Sequence, residues 1–210
     1  MPQRIDLRND IAAITDSPLA RFSDLQPWEL TAAAAPIVAN LLVALPADDY
    51  LIQGQIAIHR SATIEPGATL KGPLIVGARC FVASGAYLRG GNWLDRDCCI
   101  GPGAELKSSF IFAHTHLAHF NFVGDSVLGS GVNLEAGSII CNHRNERPGR
   151  ELRVRLGSTL HLLPQSKFGA LVGDGAQIGA NSVLAPGTLL GPGAVIQRGA
   201  LCDQELTEPH

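Results

Sequence analysis

The chain is short of aromatics, charge and methionine: among 210 residues, aromatics make up 5%, charged residues 17%, and methionine occurs once. It has no basic excess. Sixteen lysines and arginines face nineteen acidic residues, for a net charge of −3, which argues against nucleic acid as the main partner. It also lacks a long apolar run. The longest, residues 31–45, is interrupted by Pro36 and Asn40 and is too short to cross a bilayer, so no membrane association is expected. No charged-then-apolar leader opens the sequence, and the five cysteines are odd in number. Free thiols in a reducing, cytoplasmic compartment are the expectation. A hydrophobic content of 46% beside so little charge excludes a disordered chain.

What the sequence has instead is a period of six. Ile58, Ile64, Leu70, Val76, Val82, Leu88, Leu94, Ile100, Leu106 and Phe112 follow one another at that spacing. The series resumes as Phe122, Leu128, Leu134 and Ile140, then as Val172, Ile178, Leu184, Leu190, Ile196 and Cys202. Small residues tend to sit four places after the aliphatic, among them Ala62, Cys80, Ala86, Cys98, Ala104 and Ala176. Six fits neither the 3.6-residue turn of an amphipathic helix nor a 3.5-residue coiled coil. It is the signature of a hexapeptide β-helix, in which each short strand occupies one flat face of a coil. The fold class predicted is an all-β solenoid. The aliphatic points inward, and glycine or asparagine relieves the corner.

Residues 1–50 stand apart from the repeat and predict a helical N-terminal cap. Asp16-Ser17-Pro18 and Gln26-Pro27-Trp28-Glu29 both read as helix starts. Leu30, Ile37, Leu41, Val43 and Leu45, with Trp28 as the largest anchor, are expected to pack on the open first coil, whose strand edges need cover. Residues 51–204 are assigned to the β-helix, with inserted loops at 113–121 and 143–170, where solenoids tolerate insertion and carry function. The longer insert contains Arg144, Arg147, Arg150, Arg153, Arg155 and Lys167. Its segment 151–156 alternates polar and apolar and predicts an extra strand. On charge alone, an anion site and a solvated basic loop are equally open.

Three histidines, His114, His116 and His119, fall in the shorter insert. His114 and His116 on one strand would share a face, which invites a zinc site, but no Cys or Asp stands at a recognisable metal spacing. A single histidine acting as a general base suits chemistry near neutral pH. A histidine merely hydrogen-bonded in a loop needs no chemistry at all.

The stretch 119–142 reads His-Phe-Asn-Phe-Val-Gly-Asp-Ser-Val-Leu-Gly-Ser-Gly-Val-Asn-Leu-Glu-Ala-Gly-Ser-Ile-Ile-Cys-Asn. It is preceded at family spacing by Arg89 and Glu105-Leu-Lys107, and followed by Lys167-Phe and Val172-Gly-Asp174. It closely resembles the acetyltransferase domain of the bifunctional N-acetylglucosamine-1-phosphate uridyltransferase/glucosamine-1-phosphate acetyltransferases. The resemblance covers roughly residues 55–200, and the uridyltransferase domain with its glycine-rich loop is absent from the sequence. It implies a left-handed parallel β-helix assembled as a homotrimer, with sites between subunits. Acetyl-CoA would be the acyl donor, with no metal, and an amino sugar phosphate such as glucosamine-1-phosphate the acceptor, in cell-envelope or nucleotide-sugar biosynthesis.

By position, the resemblance makes His119 the general base, Glu105 the group that orients it and the Ala136 amide the oxyanion donor. It makes Arg89, Lys107, Phe122 and Lys167 the sugar-phosphate contacts, Asn133 and Asn142 the hydroxyl or amine contacts, and Ala180 and Arg198 the coenzyme contacts. Phe122 stands where the family has a tyrosine, Ala180 where it has a serine and Arg198 where it has a small residue. These departures, with the long basic insert, keep two other readings in view. One is a non-catalytic β-helix that binds a sugar phosphate or nucleotide sugar, or that only trimerises. The other is a γ-type carbonic anhydrase, whose histidine spacing is not that of 114, 116 and 119.

Overall fold

A computed structural model describes residues 4–147, 149 and 151–206, so Arg150 of the basic insert lies outside the described residues. Short 3-10 turns at Leu7–Asn9, Ala12–Asp16 and Ala20–Phe22 lead into helices Pro27–Ala32 and Ala34–Val43. From there the chain winds as a left-handed parallel β-helix with three flat faces. The first face runs from Ile56–His59 to Thr188–Leu190, the second from Thr63–Ile64 to Val195–Ile196, and the third from Thr69–Leu70 to Leu201–Cys202. Tyr50–Gln53 pairs antiparallel with Ile56–His59 and extends the first face by one strand. Gln26-Pro27-Trp28-Glu29 is a helix start as expected, with Glu29 accepting from the Gln26 amide at 2.8 Å. Asp16-Ser17-Pro18 is not. There a 3-10 turn ends, and the Ser17 hydroxyl donates back to the Ile14 carbonyl at 2.8 Å.

The inward aliphatics and the small residues four places on form one continuous core, including Val76, Cys80, Val82, Ala86, Leu94, Cys98 and Ile100. The period is not constant, however. Leu94 pairs with Ile111 and Val123 with Ile140, so Ile111 and Val123 are the inward residues rather than Phe112 and Phe122. Each corner between the third and first faces, at 107–110 and 124–127, is one residue shorter than a hexad. A ladder of side chains closes these corners: the Asn92 amide oxygen accepts from Ser109 N (3.0 Å), and Ser109 Oγ accepts from Ser126 N (3.1 Å). Ile111-Phe112 and Phe122-Val123 are both apolar pairs, so a six-residue count passes over the slip, although one residue of register turns a side chain to the opposite face. The segment 113–121, expected as an inserted loop, is therefore ordinary coil. His116–Leu117 forms a second-face strand between Cys99–Ile100 and Asn133–Leu134.

The N-terminal segment covers a flank rather than the end. Ala57, Ile75, Trp93, Phe110, Val127 and Leu171 each precede an inward residue on the first face and so point outward. They form a second core with Leu7, Ile11, Ile14, Trp28, Leu30, Ile37 and Leu41. An apolar sheet face must be covered, and this one is covered along several coils. Asp174 accepts from Ala12 N at 2.9 Å, and its own amide donates to the Asp10 carbonyl at 2.9 Å. Val43, expected in this packing, is 87% exposed. The long insert completes the cover. Its Arg153–Leu156 strand, as predicted, pairs antiparallel with Thr159–Leu162, and Leu152, Val154 and Phe168 are buried in the same core. Trp28 meets Phe168 edge to face at 5.9 Å.

Among the described residues, the arginines of the insert are used internally. Buried Arg144 donates to both Asp203 oxygens at 2.6 and 2.7 Å and lies 3.2 Å from Glu205, while Arg147 pairs with Glu205 as well. Arg155 Nε donates to the Gln204 carbonyl at 2.6 Å. The Gln204 side chain bonds both ways to the Leu189 backbone, which occupies the open edge of the first face. Arg144 and Arg147 are thus not an anion site, because the acidic segment 203–205 already fills them. Hydrogen bonding from Arg144 holds the Asp203 carboxyl below its usual range against the opposing effect of burial. A depressed folded-state pKa means that this clamp stabilises fully above the unfolded value of about 3.9 and is lost as pH falls through the folded value. Hydrogen exchange across 151–163 should therefore be slow at pH 7 and pH 5 once intrinsic rates are corrected, and should quicken only as the pH falls below the unfolded carboxylate value of about 3.9. Protection unchanged to pH 2 would contradict the clamp.

Candidate active site

The corner between the second and third faces stacks one residue from each coil into a column. Phe120 N donates to the Pro102 carbonyl, Gly137 N to His119, Asn181 N to Ala136 and Gly199 N to Ala180, at 2.8–3.0 Å. Successive coils therefore place Pro102, His119, Ala136, Ala180 and Arg198 one above the next. Four residues that the resemblance singled out, His119, Ala136, Ala180 and Arg198, lie along one line although 79 positions separate the first from the last.

Side chains in the neighbouring column decide which corner amides remain open. Glu65 accepts from Ser84 N at 2.8 Å, and Glu135 accepts from Ala180 N at 2.9 Å. The residue that would serve Ala136 in this way is Ala118, whose side chain carries no acceptor. Among the described residues, the Ala136 amide N–H has no acceptor. It sits one coil from His119, in the same column.

Below this amide, Asn133, Glu135, Gln177, Val195, Gln197 and Arg198 line a shallow groove of about 170 Å³ on the second face. Arg198 grips Glu135 with two bonds of 2.7 Å. That contact and the Ala180 amide lower the Glu135 carboxyl pKa.

The third face carries the other group of residues. Tyr87, Glu105, Phe122 and Ile139 form one outward row, with Arg89 and Lys107 in register two residues on. Lys107 Nζ bonds both Asp125 oxygens, at 2.8 and 2.7 Å, and Asn142 Nδ2 donates to the same carboxylate. A Cβ at Gly124 would strike Asn142 and Phe122, so glycine is required where this network passes. Arg89 holds Glu105 Oε1 with two contacts of 2.8 and 2.6 Å. Phe168 N donates to the Asn142 carbonyl at 3.1 Å, which brings exposed Lys167 beside the network.

The expected residues thus fall into two adjoining sets rather than one. Arg89, Glu105, Lys107, Phe122, Asn142 and Lys167 belong to the third-face side, and Asn133 to the second-face groove. Glu105 does not hydrogen-bond His119; Arg89 occupies it instead. The three histidines do not converge. His114 turns a corner at φ 61°, His116 lies on the second face and His119 at the far corner. Among the described residues no group of three or more His, Cys, Asp or Glu could hold a metal ion, and no helix is long and apolar enough to cross a membrane.

Asp125, Glu135 and Phe120 were missed by the sequence reading. Phe120 follows His119 at φ 52°, where the same column elsewhere has Gly85, Gly103, Gly137, Asn181 and Gly199. A bulky residue in the left-handed region is strained by about 1–2 kcal/mol. A glycine-to-phenylalanine departure from the column was the available signal. Phe120 is also 72% exposed beside His119. Phe120→Gly should therefore leave the melting temperature unchanged or raised, while lowering turnover at least about tenfold through lost contact with a bound ligand. A fall in melting temperature with activity intact would show the ring to be structural.

No protein-family model matches the chain. It is 35% identical over 131 residues to the bifunctional protein GlmU of Janthinobacterium sp. (strain Marseille), covering 59% of this chain and 29% of that protein. It is 27% identical over 152 residues to GlmU of Methanococcus vannielii, covering 71% and 36%. The chain thus spans roughly a third of the length of these curated relatives. Among solved structures, the acetyltransferase domain of PglB from Neisseria gonorrhoeae in complex with acetyl coenzyme A is similar with a TM-score of 0.40 and 14% identity, over 91% of this chain and 76% of that one. The chain is a hexapeptide-repeat β-helix that resembles, over the greater part of its length, the acetyltransferase domain of the bifunctional GlmU proteins.

Proposed function

We propose that the protein transfers an acyl group from a CoA thioester to the amine of an amino sugar. The observation that carries this reading is the open Ala136 amide one coil from His119. His119 takes the proton from the attacking amine, and the carbonyl oxygen of the thioester, as it becomes an oxyanion, faces the Ala136 N–H. Collapse of that adduct expels the CoA thiolate. Ala180 and Arg198 continue the same column and line the donor's path, with the second-face groove beside them. One oxyanion donor of this kind is worth about 2.7–4 kcal/mol of barrier. Asn133, on the second face beside the corner, and Asn142, at the far end of the third face, supply polar contacts to the sugar. Glu105 favours the imidazolium by its charge across the third face, since its hydrogen bonds go to Arg89.

The site is open in a single chain. The cap and the long insert cover the first face, leaving the second and third, with Val195 and Leu201 about 60% exposed, for neighbouring subunits. A cyclic trimer that closes the corner between two subunits is the assembly proposed. Light scattering at micromolar concentration should give three times the mass of the chain; a monomer would exclude it. The activity is tested by thiol release from acetyl-CoA against a panel of amino sugars. CoA release that depends on the sugar supports the reading. None across the panel favours the binding-only alternative.

A further inference from the structure

We infer that Asn121 is a positioning residue for acyl transfer: it pins the Glu135 carbonyl inward and so holds the Ala136 N–H outward, toward the reacting thioester. This rests on the acyltransferase reading above and adds a residue to it. The Glu135 carbonyl and the Ala136 N–H belong to one peptide unit, which is planar and trans, so they point in opposite directions. Whatever anchors the carbonyl therefore aims the amide. Most coils have at this corner a carbonyl that accepts from the amide three residues on, as Ala83 does from Ala86 at 3.2 Å and Gly101 from Ala104 at 3.3 Å. The Glu135 carbonyl has that bond too, at 3.3 Å from Ser138 N. It also accepts from Ser138 Oγ at 2.9 Å and, out of the preceding coil, from Asn121 Nδ2 at 2.8 Å. Among the described residues, no other carbonyl of this column accepts a side chain from a neighbouring coil.

Asn121 is unusual in its own column, which otherwise holds alanine or serine, as at Ala86, Ala104, Ser138, Ser182 and Ala200. A serine there serves its own coil: Ser182 Oγ donates to Gly179 at 2.7 Å. The longer asparagine crosses to the next one. Its amide orientation is set by its surroundings, since Nδ2 also contacts the Ser138 carbonyl at 3.2 Å and Ser138 Oγ at 3.0 Å. An oxygen in that place would face two carbonyls. The side chain is 2% exposed, and among the described residues its Oδ1 has no hydrogen-bond partner. A buried acceptor left unpaired is unfavourable, so stability alone does not account for asparagine where alanine fits. Donation into the carbonyl also polarises the N–H across the peptide, which strengthens it toward an oxyanion. That N–H faces the surface, as the corresponding amides of Ser84 and Ala180 do in meeting the outward carboxylates of Glu65 and Glu135.

The test measures kcat, KM for acetyl-CoA and melting temperature for Asn121→Ala beside wild type. The column holds alanine at 104 and 200, so the corner accepts it. The expected result is a fall in kcat of at least about tenfold with KM within about twofold, because the oxyanion contact is made only in the transition state. The midpoint of the pH–kcat profile should stay in place; a shifted midpoint would mean that Asn121 acts on His119 and would overturn the inference. Thr115→Val is the control. Thr115 also spans two coils, donating to Gly129 at 2.7 Å and accepting from Val132 N at 3.2 Å, but at the corner between the first and second faces. It should lower the melting temperature and leave kcat within about twofold. An equal fall in kcat there would reveal a general loosening and overturn the inference. Ser138→Ala removes the second side-chain donor from the same carbonyl and should lower kcat at least about threefold, which decides the matter if Asn121→Ala does not fold. Wild-type kcat in a folded Asn121→Ala, or in Ser138→Ala should the former not fold, would overturn the inference while acyl transfer stands. No transfer by the wild type to any amino sugar would remove that reading, and this inference with it.

Discussion

Replacing His119 by alanine is expected to abolish acyl transfer while leaving the fold in place. The loss should be about 10²–10⁴-fold in kcat, the usual contribution of a positioned general base. The melting temperature should not move. The same column already holds alanine at 136 and 180, so the corner accepts a methyl side chain, and among the described residues the imidazole makes no side-chain hydrogen bond that folding would miss. The measurement is steady-state CoA release beside a thermal melt of the same preparation. Turnover within about twofold of wild type would make His119 structural and remove the mechanism. His114 and His116, at another corner and on the second face, should tolerate alanine with less than about a threefold effect.

The largest expected effect on stability is at Asp125. Asp125→Ala should destabilise the protein by about 3–5 kcal/mol, because it leaves the Lys107 ammonium buried without its partner. The substitution also puts alanine at φ 47°, which aspartate and asparagine tolerate better. Asp125→Asn keeps the backbone tolerance and the shape while removing the charge, so it should cost less. Lys107→Met in the Asp125→Ala background should recover part of the loss, because no charge is then stranded. Chemical denaturation of the four proteins supplies the cycle. Equal stability of Asp125→Ala and wild type would mean that the pair is hydrated and not buried.

Much of the fold is legible in the chain because a solenoid repeats one physical problem. Every sixth residue must fill the interior, and that requirement writes itself into the sequence at fixed spacing. The capping helix at Gln26-Pro27-Trp28-Glu29 and the extra strand near 151–156 are local patterns, and local patterns also survive reading. The corners are less legible. A hexad and a pentad look alike when two apolar residues adjoin, so a six-residue count makes Phe112 and Phe122 inward and 113–121 an insert.

The site was legible only in part. A family resemblance could name His119, Glu105, Lys107, Ala136, Ala180 and Arg198 one at a time, without saying which of them meet.

By itself, the sequence determined the solenoid, its coil length to within one residue, the absence of a basic footprint and the region around 119–142 as the place for chemistry. The first three follow from composition and periodicity, which act through neighbours along the chain; the region 119–142 rests on the family resemblance alone. The tertiary structure alone decided which charges cancel. Lys107 meets Asp125 after eighteen residues, Glu135 meets Arg198 after sixty-three, and Arg144 meets Asp203 after fifty-nine. Stacking coils turns such separations into hydrogen-bond distances. The same stacking sets Ala118, without a side-chain acceptor, against the Ala136 amide and leaves that amide open beside His119.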